Sequence, residues 1–344
     1  MIKAFESIRF SVIIPCRNEE KYIAKCLDSF VNANIDKNNL QVLVVDGMSD
    51  DQTRSIVGEY DQKNHWILLL NNPEKITPHA FNIGIEHSKG FDIAITVSAH
   101  SEIDADFFKE IYNAFTINPS IGCVGGVSEN IYYNDTAKKI GKAMSSPFGV
   151  GNAHFRTGTK DGFVDTVSYP AYKMEVFEKV GLFNTALIRN QDDEFNFRVV
   201  KAGYKIYLSR KIKSKYYVRG SFDKLYRQYY QYGYWKVYVN HMHNTVTSLR
   251  QLIPPAFVSF LFFGLILSCF SWFLAGFFAG ILFVYLLGSF YFAMKIAENA
   301  AESFGIMYAF FILHFSYGTG YLKGILDFYL LRKNPTEKAK SLTR

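Results

Sequence analysis

The chain has 344 residues, a net charge of +7, and hydrophobic and charged fractions of 49% and 20%. This composition excludes disordered, collagen-like and disulfide-dense proteins, and the length favours about two domains. The four cysteines show no paired spacing, so they predict neither a disulfide framework nor a zinc site and fit a reducing compartment. Residues 1–15 contain no uninterrupted apolar run, so we expect no signal peptide.

Strands and helices alternate along the first hundred residues. Short β-branched runs are typical of strands buried on both faces, and apolar residues at helical spacing separate them. The predicted strands are 10–15, 40–45, 66–70 and 91–97, and the predicted helices are 18–33, 52–60 and 78–88. This order predicts an α/β fold with a mostly parallel sheet that binds ligands at the carboxyl ends of its strands. Weaker patterns predict strands at 123–127 and 163–167 and helices at 173–180 and 192–202.

Positive charge is concentrated between residues 195 and 251, where twelve Lys or Arg face the single acid Asp223 and aromatic residues are interleaved. Basic and aromatic residues together can indicate nucleic acid. Directly before an apolar segment they indicate an anionic lipid surface instead, or a plain solvated face. We therefore expect membrane lipids as partners and no nucleic acid.

Residues 251–294 carry no charge, and this length is about twice the roughly 20 residues that one membrane-spanning helix needs. A reversal near Gly276 and Gly280 would make two spans; a very hydrophobic buried core is the alternative. A third uncharged stretch, 303–322, fits a third span or an interfacial element. Two spans keep the basic tail on the same side as the preceding basic segment. We expect a multi-pass protein of the cell (inner) membrane with its soluble domain in the cytoplasm.

Two loops follow the first two strands. The first reads Pro15-Cys16-Arg17-Asn18-Glu19-Glu20, and the second reads Asp46-Gly47-Met48-Ser49-Asp50-Asp51-Gln52-Thr53. Here the chain resembles the inverting family 2 glycosyltransferases of GT-A fold, with P-x-x-N-E and D-x-x-S-x-D-x-T at these places. The resemblance implies a Rossmann-like catalytic domain followed by C-terminal transmembrane helices. It places five residues around the uracil and ribose of a UDP-sugar: Pro15, Asn18, Glu19, Asp46 and Ser49. Asp51 and Thr53 would shape the loop, although helix capping explains them equally well.

After the fourth strand the chain departs from the family. The family carries D-x-D there, whose carboxylates hold Mg²⁺ or Mn²⁺ against the donor diphosphate, whereas this chain has Ser98-Ala99-His100. The succinoglycan-type glucosyltransferases look similar, with D-A-H. By that resemblance Ser98 lies on the donor side and His100 binds the divalent cation. The alternative is a metal-free site in which cations such as Arg156 or Lys236 take over part of its role.

An acidic motif, Asn190-Gln191-Asp192-Asp193-Glu194, begins the helix predicted near residue 192. It resembles the family's E-D motif, which implies that Asp192 is the catalytic base, with Asp193 as the alternate. Ordinary capping of a helix by acids is the competing interpretation. Residues 227–236 loosely resemble the Q-x-x-x-W element of membrane synthases, which implies donor contacts for Gln228, Gln231 and Trp235. Packing explains Trp235 equally well.

The resemblance is closest to the succinoglycan-type subgroup. It implies a membrane-anchored inverting transferase that moves a hexose from a UDP-sugar to a polyprenyl-diphosphate-linked saccharide in exopolysaccharide, capsule or O-antigen biosynthesis. A polysaccharide assembly complex is a further candidate partner. The alternatives are a polyprenyl-monophosphate sugar synthase and a non-catalytic membrane scaffold. The expected organisation is a transferase domain (1–220), an interfacial segment (221–251), a membrane region (252–330) and a basic tail (331–344).

Overall fold

The computed structural model of the chain describes residues 3–151, 153–158, 160–247 and 249–335. It contains two compact units. The sheet unit comprises Met1–Asn130 and His154–Tyr217, and the helical unit comprises Ile131–Ala153 and Val218–Arg344. Most of the predicted basic tail lies outside the described residues.

The sheet unit is built on one mixed sheet. In the described residues its strands are β1 (Phe10–Cys16), β2 (Leu40–Asp46), β3 (Ile67–Asn71), β4 (Ile93–Thr96), β5 (Ser101–Ile103), β6 (Ile121–Ile131), β7 (Gly162–Val164), β8 (Ser168–Lys173) and β9 (Lys205–Tyr217). The order is β3-β2-β1-β4-β8-β6-β9-β5, with β7 on β9. Strands β1 to β4 are parallel, whereas β8 runs antiparallel to both β4 and β6. The expected mostly parallel sheet is therefore correct for only half of the sheet.

Helices cover the sheet and form the second unit. They are α1 (Ile23–Val31), α2 (Thr53–Lys63), α3 (Thr77–His87), α4 (Phe107–Thr116), α5 (Asp135–Met144), α6 (Pro147–Val150), α7 (His154–Thr157), α8 (Met174–Val180), α9 (Gln191–Lys201), α10 (Phe222–His243), α11 (Ile253–Ser268), α12 (Trp272–Ile296) and α13 (Ala300–Ile325). Helices of the sheet unit form where apolar residues recur at helical spacing, as α1 shows. It buries four such residues in the core of the sheet unit: Ile23, Cys26, Leu27 and Phe30. It begins five residues later than predicted, since residues 18–22 belong to a loop.

The basic segment is divided between the two units. Seven of its twelve Lys and Arg lie at or before Lys215, in α9 and β9. Of the other five, Lys236 is fully buried in α10. Most of the charge of the segment therefore belongs to the sheet unit.

Helices α10 and α13 form the core of the helical unit. Gly233 of α10 lies against the backbone of Tyr317, and Gly320 of α13 lies against the backbone of Tyr230. A Cβ atom on Gly320 would lie 2.1 Å from the Tyr230 carbonyl oxygen. No larger residue fits at such a close approach of two backbones.

Helices α11 and α12 form an apolar hairpin. The segments Leu249–Ser268 and Trp272–Ile296 are long and apolar enough to cross a membrane, with mean hydropathies of 1.8 and 2.1, and most of each is exposed. The reversal lies at residues 269–271, so its predicted place near Gly276 and Gly280 is wrong. Both glycines lie inside α12, where the side chain of Ser271 caps the first turn.

An ion-pair network joins α5 to the start of α13. Lys142 lies 2.8 Å from Glu302 and 3.4 Å from Glu298, and Lys138 lies 2.6 Å from Glu298. Burial alone would raise the pKa of Glu302, but hydrogen bonds from Lys142 and from the Glu298 backbone outweigh it, so the pKa lies below its ordinary value. Glu302 is therefore held ionised in the folded unit.

Candidate active site

The carboxyl ends of β1, β2 and β4 bring three of the predicted loops to one edge of the sheet. Cys16 pairs with Asp46 at the last position of the β1–β2 register, and β4 ends beside Ile13. Loop 15–20, loop 46–53 and loop 98–100 therefore meet where parallel sheets bind their ligands.

Hydrogen bonds join the first two loops to each other. The Asn18 N–H donates to the Ser49 hydroxyl at 2.9 Å, and the Glu19 N–H donates to the Thr53 hydroxyl at 2.8 Å. Asn18 and Met48 both adopt left-handed backbone conformations, with φ of 55° and 57°. Such conformations cost about 1–3 kcal/mol in a residue like Met48 and occur preferentially at ligand sites. The two loops are therefore hydrogen-bonded into one structure, and the predicted binding of a UDP-sugar there stays a prediction.

Asp46 lies at the centre of this structure and is completely buried. Its carboxylate accepts hydrogen bonds from the Ser49 hydroxyl, from the Ser49 N–H at 3.0 Å, and from the Arg54 guanidinium at 2.6 Å. The predicted contact between Asp46 and uridine stays a prediction. The structure shows that Asp46 holds Ser49 and Arg54 in place. Arg54 was not predicted, because no motif marks a cation at the second residue of the helix.

Thr53 and Asp51 shape the loop together. Burial would raise the pKa of Asp51, but the Thr53 hydroxyl and N–H and the Glu20 N–H bond the carboxylate and lower its pKa below the ordinary value. Asp51 therefore stays ionised at the start of α2, where a helix N-terminus favours negative charge. These contacts fit the capping interpretation as well as the loop-shaping role, and the loop-shaping role stays a prediction.

His100 lies in the third loop and faces Glu19. Its Nδ1 atom is 3.4 Å from the Glu19 carboxylate, and the Ser98 hydroxyl lies 3.1 Å from the ring. The Tyr216 ring lies 5.6 Å from the imidazole, and the Arg156 guanidinium lies 5.8 Å from that tyrosine ring. Arg156 therefore lies next to a residue that contacts His100, and its role in the alternative metal-free interpretation stays a prediction. Tyr216 was not predicted, since its strand, β9, was not recognised.

The residues around His100 do not form a metal centre by themselves. Among the described residues no group of three His, Cys, Asp or Glu side chains could hold an ion. Ser98 supplies a hydroxyl where the family's D-x-D supplies a carboxylate, and the imidazole is already paired with Glu19. A hard divalent cation prefers several oxygen ligands. This donor set does not fit such an ion, and we derive no chemical step through one.

Asp192 and Asp193 lie in the first turn of α9. Asn190 precedes the helix in a left-handed conformation, with φ of 60°. Asp192 is exposed, Asp193 is half-buried, and the next acid, Glu194, is buried and paired with Arg198 at 2.7 Å. Of the three acids, Asp192 is therefore the most open to a ligand. Its catalytic role stays a prediction.

The remaining predicted donor residues lie in the helical unit. Gln228, Gln231 and Trp235 are all buried in α10. Gln228 donates to the Tyr232 hydroxyl at 2.8 Å, and Trp235 packs edge-on against Tyr238 with ring centroids 5.6 Å apart. The packing interpretation of Trp235 agrees with this burial, and contact of these three residues with a donor stays a prediction.

Comparison with known proteins identifies the family. The sequence model of glycosyl transferase family 2 matches residues 11–181 of this chain. A relative from Methanococcus voltae is 36% identical over 231 residues, which is 65% of this chain and 71% of that protein. The chain belongs to glycosyltransferase family 2. It is therefore a glycosyltransferase, as the two loop motifs predicted.

The relatives also fit the predicted subgroup. The Methanococcus voltae protein is a dolichyl N-acetyl-alpha-D-glucosaminyl phosphate 3-beta-D-2,3-diacetamido-2,3-dideoxy-beta-D-glucuronosyltransferase. The succinoglycan biosynthesis protein ExoA of Rhizobium meliloti is 26% identical over 320 residues, covering 92% of this chain and 95% of ExoA. The crystal structure of S. aureus TarS with UDP matches at a TM-score of 0.50 and 17% identity. The match covers 67% of this chain and 65% of the crystallised fragment, TarS 1-349, and it supports the GT-A-like fold.

Proposed function

We propose that this protein is a membrane-anchored inverting glycosyltransferase that transfers a hexose from a UDP-sugar to a lipid-linked saccharide. The pre-built pair of loops at the ends of β1 and β2 carries the proposal, since it lies where such sheets hold a nucleotide. Two relatives support the acceptor class. One is named for a dolichyl-linked sugar phosphate, and the other is a succinoglycan biosynthesis protein.

In the proposed reaction Asp192 takes the proton of the acceptor hydroxyl. The hydroxyl oxygen forms a bond to the anomeric carbon while the bond from that carbon to the diphosphate oxygen breaks. UDP leaves, and an α-linked donor gives a β-linked product. A carboxylate that accepts this proton contributes about 10²–10⁴-fold to the rate. The exposed position of Asp192 at the start of α9 leaves it open to an acceptor.

Around the donor, Asn18, Glu19 and Ser49 are the proposed uridine-binding residues, held in position by Asp46. Pro15 and Ser98 would flank them. His100 and Arg156 both lie beside the Tyr216 ring, and they are the proposed partners for the negative charge of the departing diphosphate. The divalent cation expected at His100 is not part of this proposal, because the donor set does not fit one. Assays with Mn²⁺ and with EDTA test this point.

The α11–α12 hairpin is the proposed anchor. Its exposed apolar surface would enter the bilayer, so that the enzyme meets its lipid-linked acceptor at the cytoplasmic face. Transfer to a polyprenyl monophosphate is the second candidate. The name of the Methanococcus voltae relative, which specifies a 3-beta linkage on a sugar, favours a sugar hydroxyl over a phosphate as the nucleophile.

The test is UDP release by the detergent-purified protein over a panel of UDP-sugars. Each donor is assayed with polyprenyl-diphosphate glycolipid, with polyprenyl monophosphate, and without lipid. Release that requires the glycolipid supports the proposal, and release with the monophosphate alone supports the second candidate. Binding of UDP without release for any donor and lipid would contradict both and favour a scaffold.

A further inference from the structure

A cavity of about 500 Å³ lies in the helical unit, between the end of α10 and the π-helical turn Leu326–Leu330 that follows α13. Its lining includes His241, Arg332 and Lys333 together with Tyr238 and Asn334. The walls are held by ring contacts, with His241 against Tyr329 at 5.0 Å and Tyr238 against Phe328 at 5.0 Å. The proposed transfer reaction does not use this cavity.

The cations of the cavity are available to a ligand. Neither Arg332 nor Lys333 forms an ion pair with any of the described residues. The nearby acid, Asp327, is buried and already bonded to Lys323 and to the Tyr234 hydroxyl. The backbone of Lys333 is fixed, because its N–H donates to the Asp327 carbonyl at 2.8 Å. Two neighbouring cations that have no carboxylate partner among the described residues, on backbone held by a hydrogen bond, suit a phosphate group.

An apolar stripe leads to the cavity along α13. Its members recur along α13 and the π-helical turn: Phe304, Tyr308, Phe311, Phe315, Leu322, Leu326 and Leu330. Phe315 and Leu322 are half-buried, and Tyr308 contacts Phe222 at the start of α10. Phe304 and Leu330, at its two ends, are 64% and 71% exposed. A helix with one exposed apolar face lies in the plane of a membrane interface, with that face in the acyl region. A ligand at its end would therefore have both a phosphate and acyl chains.

We propose that this cavity binds the phosphate of an anionic bilayer phospholipid, with Arg332 and Lys333 as the contacting cations and the acyl chains along the α13 stripe. The carbonyl groups at the end of α10 carry partial negative charge, which repels an anion. Arg332 and Lys333 would offset this repulsion, so the bound phosphate would depend on both cations. The site would fix the depth of α13 in the membrane. The inference does not depend on the proposed transfer reaction.

The test is retention of phosphatidylglycerol by the full-length protein in native mass spectrometry. The variant Arg332→Gln, Lys333→Gln removes two exposed charges. We expect it to weaken retention about 30-fold, since each cation near an anionic surface contributes roughly fivefold. The matched control Lys224→Gln, Arg227→Gln removes two exposed cations from the start of α10, and retention should change by less than about twofold.

Equal losses in both double variants, or full retention in the Arg332 and Lys333 variant, would overturn the proposal. Competition identifies the ligand. Phosphatidylcholine and inorganic phosphate should not displace phosphatidylglycerol from the wild-type protein. Displacement by inorganic phosphate would show a site for soluble phosphate, and preferential displacement by polyprenyl phosphate would show a site for the acceptor lipid. Either result overturns the assignment to a bilayer phospholipid.

Discussion

Replacing Arg54 with Met should destabilise the sheet unit, because Asp46 would lose its cation while remaining completely buried. The Arg54 guanidinium lies 2.6 Å from the Asp46 carboxylate, and the two side chains are 36% and 0% exposed. Breaking a fully buried pair costs about 3–5 kcal/mol. A hydrogen bond to a charged group contributes about 1.5–3 kcal/mol. Because Arg54 is partly exposed, we expect a loss of about 2 kcal/mol.

The chain offers a matched control for this pair. Lys3 and Asp92 form an ion pair of the same length, 2.6 Å, but their side chains are 60% and 24% exposed. An exposed pair contributes about 0–1 kcal/mol. Lys3→Met should therefore change stability much less than Arg54→Met, although the two distances are equal.

The assay is urea unfolding followed by the fluorescence of Trp66, which is buried in the sheet unit. The other two tryptophans, Trp235 and Trp272, are replaced by Phe in the background protein. With a slope of about 2 kcal/mol per molar urea, Arg54→Met should lower the midpoint by about 1 M. Equal shifts in the Arg54 and Lys3 variants would refute the reasoning that burial of Asp46 sets the energy.

Three further predictions concern the helical unit. Gly320→Ala should lower the free energy of unfolding of the helical unit by about 1–3 kcal/mol or more, because the added Cβ overpacks the two helices. At Gly276 an added Cβ meets nothing within 4 Å, so Gly276→Ala should be neutral or stabilising. Equal effects of the two substitutions would contradict the close approach of the helices. The pKa of Glu302 is lowered on folding, so the ionised carboxylate stabilises the folded unit. This contribution is complete at pH values above 4.5, the pKa in the unfolded chain, and it is lost as the pH falls through the folded pKa. Glu302→Gln should therefore flatten the dependence of thermal stability on pH below about pH 5, and an unchanged slope would count against the network. Cys269 is the one exposed thiol of the four cysteines, so a membrane-impermeant maleimide should label it from outside intact cells if the hairpin crosses the membrane. Labelling only after detergent extraction would contradict the crossing.

The sequence predicted the first half of the sheet well, for a physical reason. Strands β1 and β2 are parallel and buried on both faces, so each contains four consecutive apolar residues, 12–15 in β1 and 42–45 in β2. Their ends place motif residues on loops, and the structure joins Asn18 to Ser49, a contact that the motifs did not predict. The start of α9 was predicted within one residue, because Asp192 follows the usual preference for acids at a helix N-terminus.

The antiparallel half was harder to predict, because its strands are only partly buried. Strand β9 alternates buried Ile206 and Leu208 with charged and aromatic residues, and its many cations suggested a membrane surface. Strand β8 was missed, and its last residue, Lys173, was assigned to the following helix. The hairpin reversal was misplaced because glycine was taken as the turn signal, whereas the side chain of Ser271 caps the helix after the turn. The role of Arg54 depends on a contact across the loop, which no local pattern encodes.

The most direct test of the proposed mechanism is the turnover number of Asp192→Asn beside that of Asp193→Asn, with the best UDP-sugar and glycolipid as substrates. The two variants make the same chemical change at adjacent positions of one helix turn. We expect Asp192→Asn to lower kcat by about 10²–10⁴-fold with little change in the KM for the UDP-sugar. Asp193→Asn should keep kcat within about tenfold of the wild-type value. Full activity in Asp192→Asn would contradict the assignment of the catalytic base.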